Sequence, residues 1–82
     1  MDEFPEINVN QCVIMYSEVK TGTVIDINKN IYISGKHKIY YIYNSFNQAL
    51  DYANDFCRKN IDVEITIFDN NRNVLKFIRN II

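Results

Sequence analysis

From residue 45 the hydrophobic positions recur every three or four residues. Phe46, Ala49, Leu50, Ala53, Phe56 and Cys57 form one stripe, with Asn47, Asp51, Asn54, Asp55 and Arg58 on the other side. That is the 3.6-residue period of an amphipathic helix with one buried face. Ser45-x-x-Gln48 at its start fits a capping box. The serine oxygen accepts from the amide three residues on, and the glutamine reaches back to the cap amide. Asp55 and Lys59 stand four apart in the favourable order, and Asn60 is a plausible stop. The spacing predicts a helix over about 45–59. After Asn60 the period becomes two. Ile61, Val63, Ile65 and Ile67 alternate with Asp62, Glu64 and Thr66, which predicts a half-buried strand with one wet face.

Upstream, short β-rich runs are divided by turn residues. "QCVIMYSEV" begins at Gln11, and "KTG" follows, with Gly22 free to take positive φ. In "TVIDI", Thr23, Ile25 and Ile27 oppose Val24 and Asp26. "NKN" at 28–30 is a second turn, and Gly35 separates "IYIS" (31–34) from "KIYYIY" (38–43). Downstream, "DNNRN" (69–73) is a turn by composition, because Asn and Asp tolerate αL and bond their own backbone. "VLKFIRNII" closes the chain with a less clean pattern. The fold class predicted is α+β: a mainly antiparallel sheet of five to six short strands with the helix on one face, in the order β-β-β-β-α-β-β. Residues 1–10 hold Pro5 and several acids without periodicity, and read as an N-terminal arm ordered only if docked. Residues 11–82 read as one domain, without internal repeats.

Composition narrows the functions. The chain has 82 residues, so a single core gives thin stability. Nine basic against ten acidic residues leave a net charge of -1, which supplies no general field for nucleic acid or an anionic membrane. No run approaches the ~20 apolar residues of a membrane span. The acidic start "MDEFPEINVN" is unlike a signal peptide, so a reducing cytoplasm with free cysteines is expected. Cys57 continues the helix stripe and Cys12 opens a strand, which marks both as core residues. Two cysteines and one histidine, without C-x-x-C spacing, cannot complete a zinc set unaided, so no metal or cofactor is expected. The two glycines lie in no phosphate-binding loop. His37 lacks an evident nucleophile and orienting acid, and Asp51 and Asp55 lie on a solvated helix face. No catalytic residue emerges, and the chain does not read as an enzyme.

The stretch "GKHKIYYIYNSF" (35–46) carries what chemistry remains. Lys36, His37 and Lys38, with Arg72 and neighbouring tyrosines, could serve a nucleic-acid binder through phosphate contacts and stacking. Strand parity sets Ile39, Tyr41 and Tyr43 on one face and Tyr40 and Ile42 on the other, so some tyrosines must be core. The leading reading is a non-catalytic interaction module. A helix about 22 Å long and 10 Å wide cannot cover six strands spanning about 25 Å, and nothing else is left for the second face. Exposed apolar area of that kind marks an interface. The expected surface is the face with Tyr32, Tyr40 and Ile42, engaging a second copy or another protein. A small inhibitor or immunity protein is a further alternative.

Residues 39–78 also carry a resemblance. Ser45-x-x-Gln48-Ala49-Leu50-x-x-Ala53, followed by Val63-x-Ile65-x-Ile67-x-Asp69 and a closing strand, resembles a group of short bacterial proteins that share a domain of unknown function. Their pattern is Ser/Thr-x-x-Glu/Gln-Ala-Ile/Leu-x-x-Ala, an alternating strand and an Asp-x-x-Gly hairpin. Here the hairpin is Asp69-Asn70-Asn71-Arg72-Asn73, without the glycine, and the early tryptophan common in that group is absent. The resemblance implies the fold and nothing catalytic.

Overall fold

The computed structural model describes residues 3–31 and 38–79. Five antiparallel strands and one helix follow one another as β1 (Cys12–Glu18), β2 (Val24–Ile25), β3 (Tyr41–Tyr43), α1 (Phe46–Lys59), β4 (Val63–Phe68) and β5 (Val74–Arg79). β1 is central. It pairs with β4 from Val13 opposite Phe68 to Glu18 opposite Val63. β5 lies beyond β4. On its other side β1 carries two short strands, β3 against Cys12–Ile14 and β2 against Tyr16–Ser17. This is the α+β fold expected, with the helix on one face. The sheet is four ranks wide, narrower than six strands abreast, because β2 and β3 share one edge. Of the strand expected at 31–34, Ile31 makes a single bridge to Ile25, and the rest lies outside the described residues.

The helix forms as its pattern requires. Ser45 is extended (φ -153°, ψ 159°), and its Oγ accepts from the Gln48 amide at 3.1 Å. The Gln48 Oε1 accepts from the Asn44 amide at 3.0 Å, one residue before the cap amide a standard box would use. Asn60 ends the helix by hydrogen bonding. Its N–H donates to the carbonyls of Phe56 and Cys57, and its Nδ2 to that of Phe56, while its φ of -133° is not left-handed. Asp55 receives Lys59 at 3.1 Å and also Arg58. Ala49, Ala53 and Cys57 are buried. These small side chains bring the helix close to Ile14, Tyr16, Val63, Ile65 and Ile67, with Phe46, Leu50 and Phe56 packing at the margins. Each fully buried Ile contributes roughly 1.5–3 kcal/mol.

The second face of the sheet is not bare, which corrects the expectation above. Val13, Ile39 and Tyr40 are buried there under Phe4 and Ile7 of the arm, with Met15, Val24 and Phe68 alongside. The Phe4 ring stands edge-on to Tyr40 (5.3 Å) and Phe68 (5.6 Å), the geometry aromatic quadrupoles prefer. Arg72 lies over the Phe4 ring at 5.7 Å. Glu64, expected on a wet face, is also buried. It accepts from the Ser17 hydroxyl at 3.2 Å and from Arg79 Nε at 2.8 Å, which satisfies a carboxylate removed from water.

The two hairpin turns repeat one pattern, Asp-x-Asn-(Lys/Arg)-Asn, at 26–30 and 69–73. The chain therefore carries a short internal repeat, where none was expected. The left-handed residue is neither Asn nor Asp. It is Lys29 (φ 66°) in the first turn and Arg72 (φ 63°) in the second.

Candidate interaction surface

Of the residues expected to form an interface, the two that are described differ in exposure. Tyr40 is only 8% exposed, because Phe4 sits on its ring. It is a core residue and not a docking residue. Ile42, on the same face, is 47% exposed. Tyr32 lies outside the described residues, as do Lys36 and His37 of the basic turn. Lys38 is exposed, with its Nζ 5.2 Å from the Tyr41 ring centre. Tyr41 packs on the helix side and Phe4 on the arm side, so Lys38 and Arg72 sit over rings on opposite faces. Those two cations do not make one basic patch.

The groups with reactive potential are occupied structurally. Cys12 and Cys57 are both buried. Burial raises the Cys57 thiol above its ordinary value, with the Glu64 charge adding to the effect. Burial and then Asp69 do the same for Cys12. Both shifts disfavour the nucleophilic thiolate. A cleft of about 660 Å³ opens between the start of α1 and the 69–73 turn, lined by Val9, Cys12, Phe46, Asn47, Asp69 and Leu75. Asp69 is committed to the turn itself, accepting from the amides of Asn71 and Asn73 at 2.8 Å each. Among the described residues no three His, Cys, Asp or Glu side chains converge as a metal site. The Tyr16 hydroxyl is fully buried, beside Tyr43 and Tyr52. Burial, and then the neighbouring Tyr43 and Tyr52, raise its pKa far above the ordinary phenol range, so it stays protonated.

The largest uncovered apolar run lies on β5. Val74 is 60% exposed, Leu75 44% and Phe77 50%. β5 is the outermost strand and pairs only with β4 among the described residues. Its outer row of N–H and C=O groups meets no further strand among the described residues, and such a row is the usual template for pairing with another chain. A register shift between Ile67 and Phe68 leaves Leu75 without a partner on β4. This bulge bends the N-terminal end of the strand, as bulges do. Among the described residues Lys76 makes no ion pair, whereas Arg79 is tied to Glu64 and lies over Phe77 at 5.6 Å. The adjacent apolar pair Val74 and Leu75 in "VLKFIRNII" is the local trace of this surface in the sequence.

No family model, curated protein or solved structure matches the chain. Among the described residues no helix is long and apolar enough to cross a membrane.

Proposed function

We propose that the chain is a small non-catalytic protein-interaction module that docks other polypeptide surface along β5. One observation carries this reading: an edge strand with three consecutive-to-alternate apolar side chains (Val74, Leu75, Phe77) left in solvent. Exposed apolar side chains beside unpaired backbone combine the two ingredients of strand addition. Main-chain hydrogen bonds supply affinity, and side-chain contacts supply selectivity. Ile42 is a lesser part of the surface, and Tyr40 contributes from beneath by holding the arm. A cytoplasmic setting goes with the reading, as both cysteines are buried core residues.

The test is site-specific crosslinking in cells that make the protein. A photoreactive phenylalanine replaces Phe77 in one variant and Tyr52, an exposed aromatic on the helix, in another. Adducts at 77 and none at 52 are the expected result. Equal labelling at both positions, or none at 77, would remove β5 as the docking edge.

A further inference from the structure

We infer that the N-terminal arm is a peptide ligand bound in cis. Its seat on the second face of the sheet takes, in place of the arm, an extended segment of another protein with an aromatic residue and an aliphatic one three positions later. This surface is separate from the β5 edge and stands or falls without it.

The argument starts from how the arm is held. Each strand joins the sheet through backbone pairing, but among the described residues no hydrogen bond ties residues 3–7 to the rest of the chain. The path back to β1 is a turn at 8–11, where the Gln11 amide donates to the Asn8 carbonyl at 3.0 Å and the Asn8 amide to Gln11 Oε1 at 2.8 Å. Beyond that turn two side chains do the holding, Phe4 and Ile7, and both stay partly exposed. Phe4 enters a socket of two edge-on rings, Tyr40 and Phe68, with the Arg72 guanidinium over it. Pro5 fixes its own φ and biases Phe4 to extended backbone. The arm therefore offers two anchors from a stiff, extended stretch, which is how short peptide ligands keep their ordering cost low. A segment held by side chains alone opens without breaking the sheet.

Opening uncovers Val13, Ile39 and Tyr40, which are 0%, 1% and 8% exposed under the arm. An apolar patch of that kind does not stay in water, so the arm and a partner exchange for one seat. The occupant seen in the structure gives the chemistry of the occupant that replaces it. A second copy is not that partner. Each chain's own arm stands over its seat at an effective concentration of about millimolar, and the identical arm of another copy fits no better. A different protein displaces the arm by filling the socket more fully. Arg72 says how: a cation over a ring favours tryptophan above phenylalanine.

The probe is a fluorescein-tagged synthetic peptide of residues 3–8, titrated by anisotropy into the full-length chain. Phe4→Ala in the protein removes the competing anchor and should tighten peptide binding about tenfold or more over wild type, because apparent affinity scales with the fraction of open seats. Arg72→Gln added to Phe4→Ala should weaken it about two- to fivefold. A peptide with Trp in place of Phe4 should bind more tightly than the native one, and a peptide with Ala there should not bind. Equal affinity for wild type and Phe4→Ala, or equal binding of the native and Ala peptides, overturns the seat. A Trp peptide that binds more weakly than the native one overturns the role given to Arg72. If Phe4→Ala fails to fold, wild type decides the matter: unlabelled peptide in excess should move the Glu6 and Ile7 amide signals of the 15N-labelled chain to random-coil positions. Signals that stay in place at millimolar peptide overturn the exchange. A wild-type dimer in sedimentation that Phe4→Ala abolishes means that the arms swap between copies, which overturns the different protein as partner.

Discussion

The turns at 26–30 and 69–73 are built by the same five hydrogen bonds. In each, the first Asp amide donates to the last Asn carbonyl (3.0 and 2.9 Å), and the basic residue's amide donates to the Asp carbonyl (2.9 and 3.1 Å). In each, Oδ1 of the Asp accepts two backbone amides, and Oδ2 accepts the final Asn Nδ2 (3.3 and 3.2 Å). The surroundings differ. The second position is Ile27 in one turn and Asn70 in the other. Ile27 packs on the helix-side core and gives its amide to the Tyr41 hydroxyl at 2.9 Å. Asp26 is buried, whereas Asp69 is only partly so. The basic residues are used differently too: Lys29 reaches Asp62 at 3.0 Å, and Arg72 covers Phe4. Identical local chemistry fixes the chain path in both places, and the environment sets what each copy is worth.

The largest expected effect lies at the two aspartates. Asp26→Ala strands several donors in a closed-in turn and should cost about 2–3 kcal/mol, the range for hydrogen bonds to a charged acceptor with unsatisfied partners left behind. Asp69→Ala strands the same donors where water can replace the carboxylate, so its loss should be clearly smaller. Urea denaturation of the two variants measures the gap. Equal losses would mean that burial does not separate the turns.

The same contrast explains what was legible in the sequence. The helix, its Ser45 cap and the Val63–Ile67 strand were readable because their signals are local: a period, a capping oxygen, an alternation. The repeated Asp-x-Asn-basic-Asn pattern is local too, but its fourth residue is a long cation with no composition signal for a left-handed backbone. Assigning αL to Asn followed composition. The structure gives it to Lys29 and Arg72. Tyr40 could not have been placed from strand parity alone, since parity names a face and not its cover. Its cover is Phe4, thirty-six residues earlier in the chain and in a segment without periodicity. The exposure of β5 is likewise a tertiary fact, fixed by where α1 and the arm end.

The left-handed positions should break the asymmetry, since φ is nearly the same at both. A β-branched residue is strained there. Lys29→Ile and Arg72→Ile should each cost about 1 kcal/mol or somewhat more in backbone strain. Glycine at either site relieves strain but loosens the unfolded chain, leaving the backbone contribution close to neutral. Melting temperatures of the four variants test this. A Lys29→Ile cost much above that of Arg72→Ile would show that burial reaches the backbone term as well.

Removing only the charge sharpens the difference in what the two cations hold. Arg72→Gln gives up the cation over the Phe4 ring, an interaction worth about 0.5–1 kcal/mol at such sites. Docking of the arm should weaken, and limited proteolysis within residues 3–10 should speed up without global unfolding. Lys29→Gln loses its partner at Asp62 and should leave arm cleavage unchanged. Faster cleavage in both variants would place the arm under the control of overall stability, and not of Arg72.

The smallest effect is a dependence on pH at the exposed turn. The Asn73 amide, with the Asn71 amide and the Asn73 side chain, holds the Asp69 carboxyl below its usual value. A carboxylate with a depressed folded pKa stabilises the fold above its unfolded value of about 3.9. That contribution fades as pH falls through the lower folded value. Asp69→Asn keeps an oxygen but has no proton to gain. The melting-temperature gap between wild type and Asp69→Asn should therefore be largest near neutral pH and narrow as pH drops from about 5 toward 3. Asp55 and Asp62 are also held low, by Lys59 and Lys29 respectively, so both proteins lose stability in acid, and only the gap isolates Asp69. A gap that stays constant with pH would mean that the oxygen's position, and not its charge, is what the turn uses.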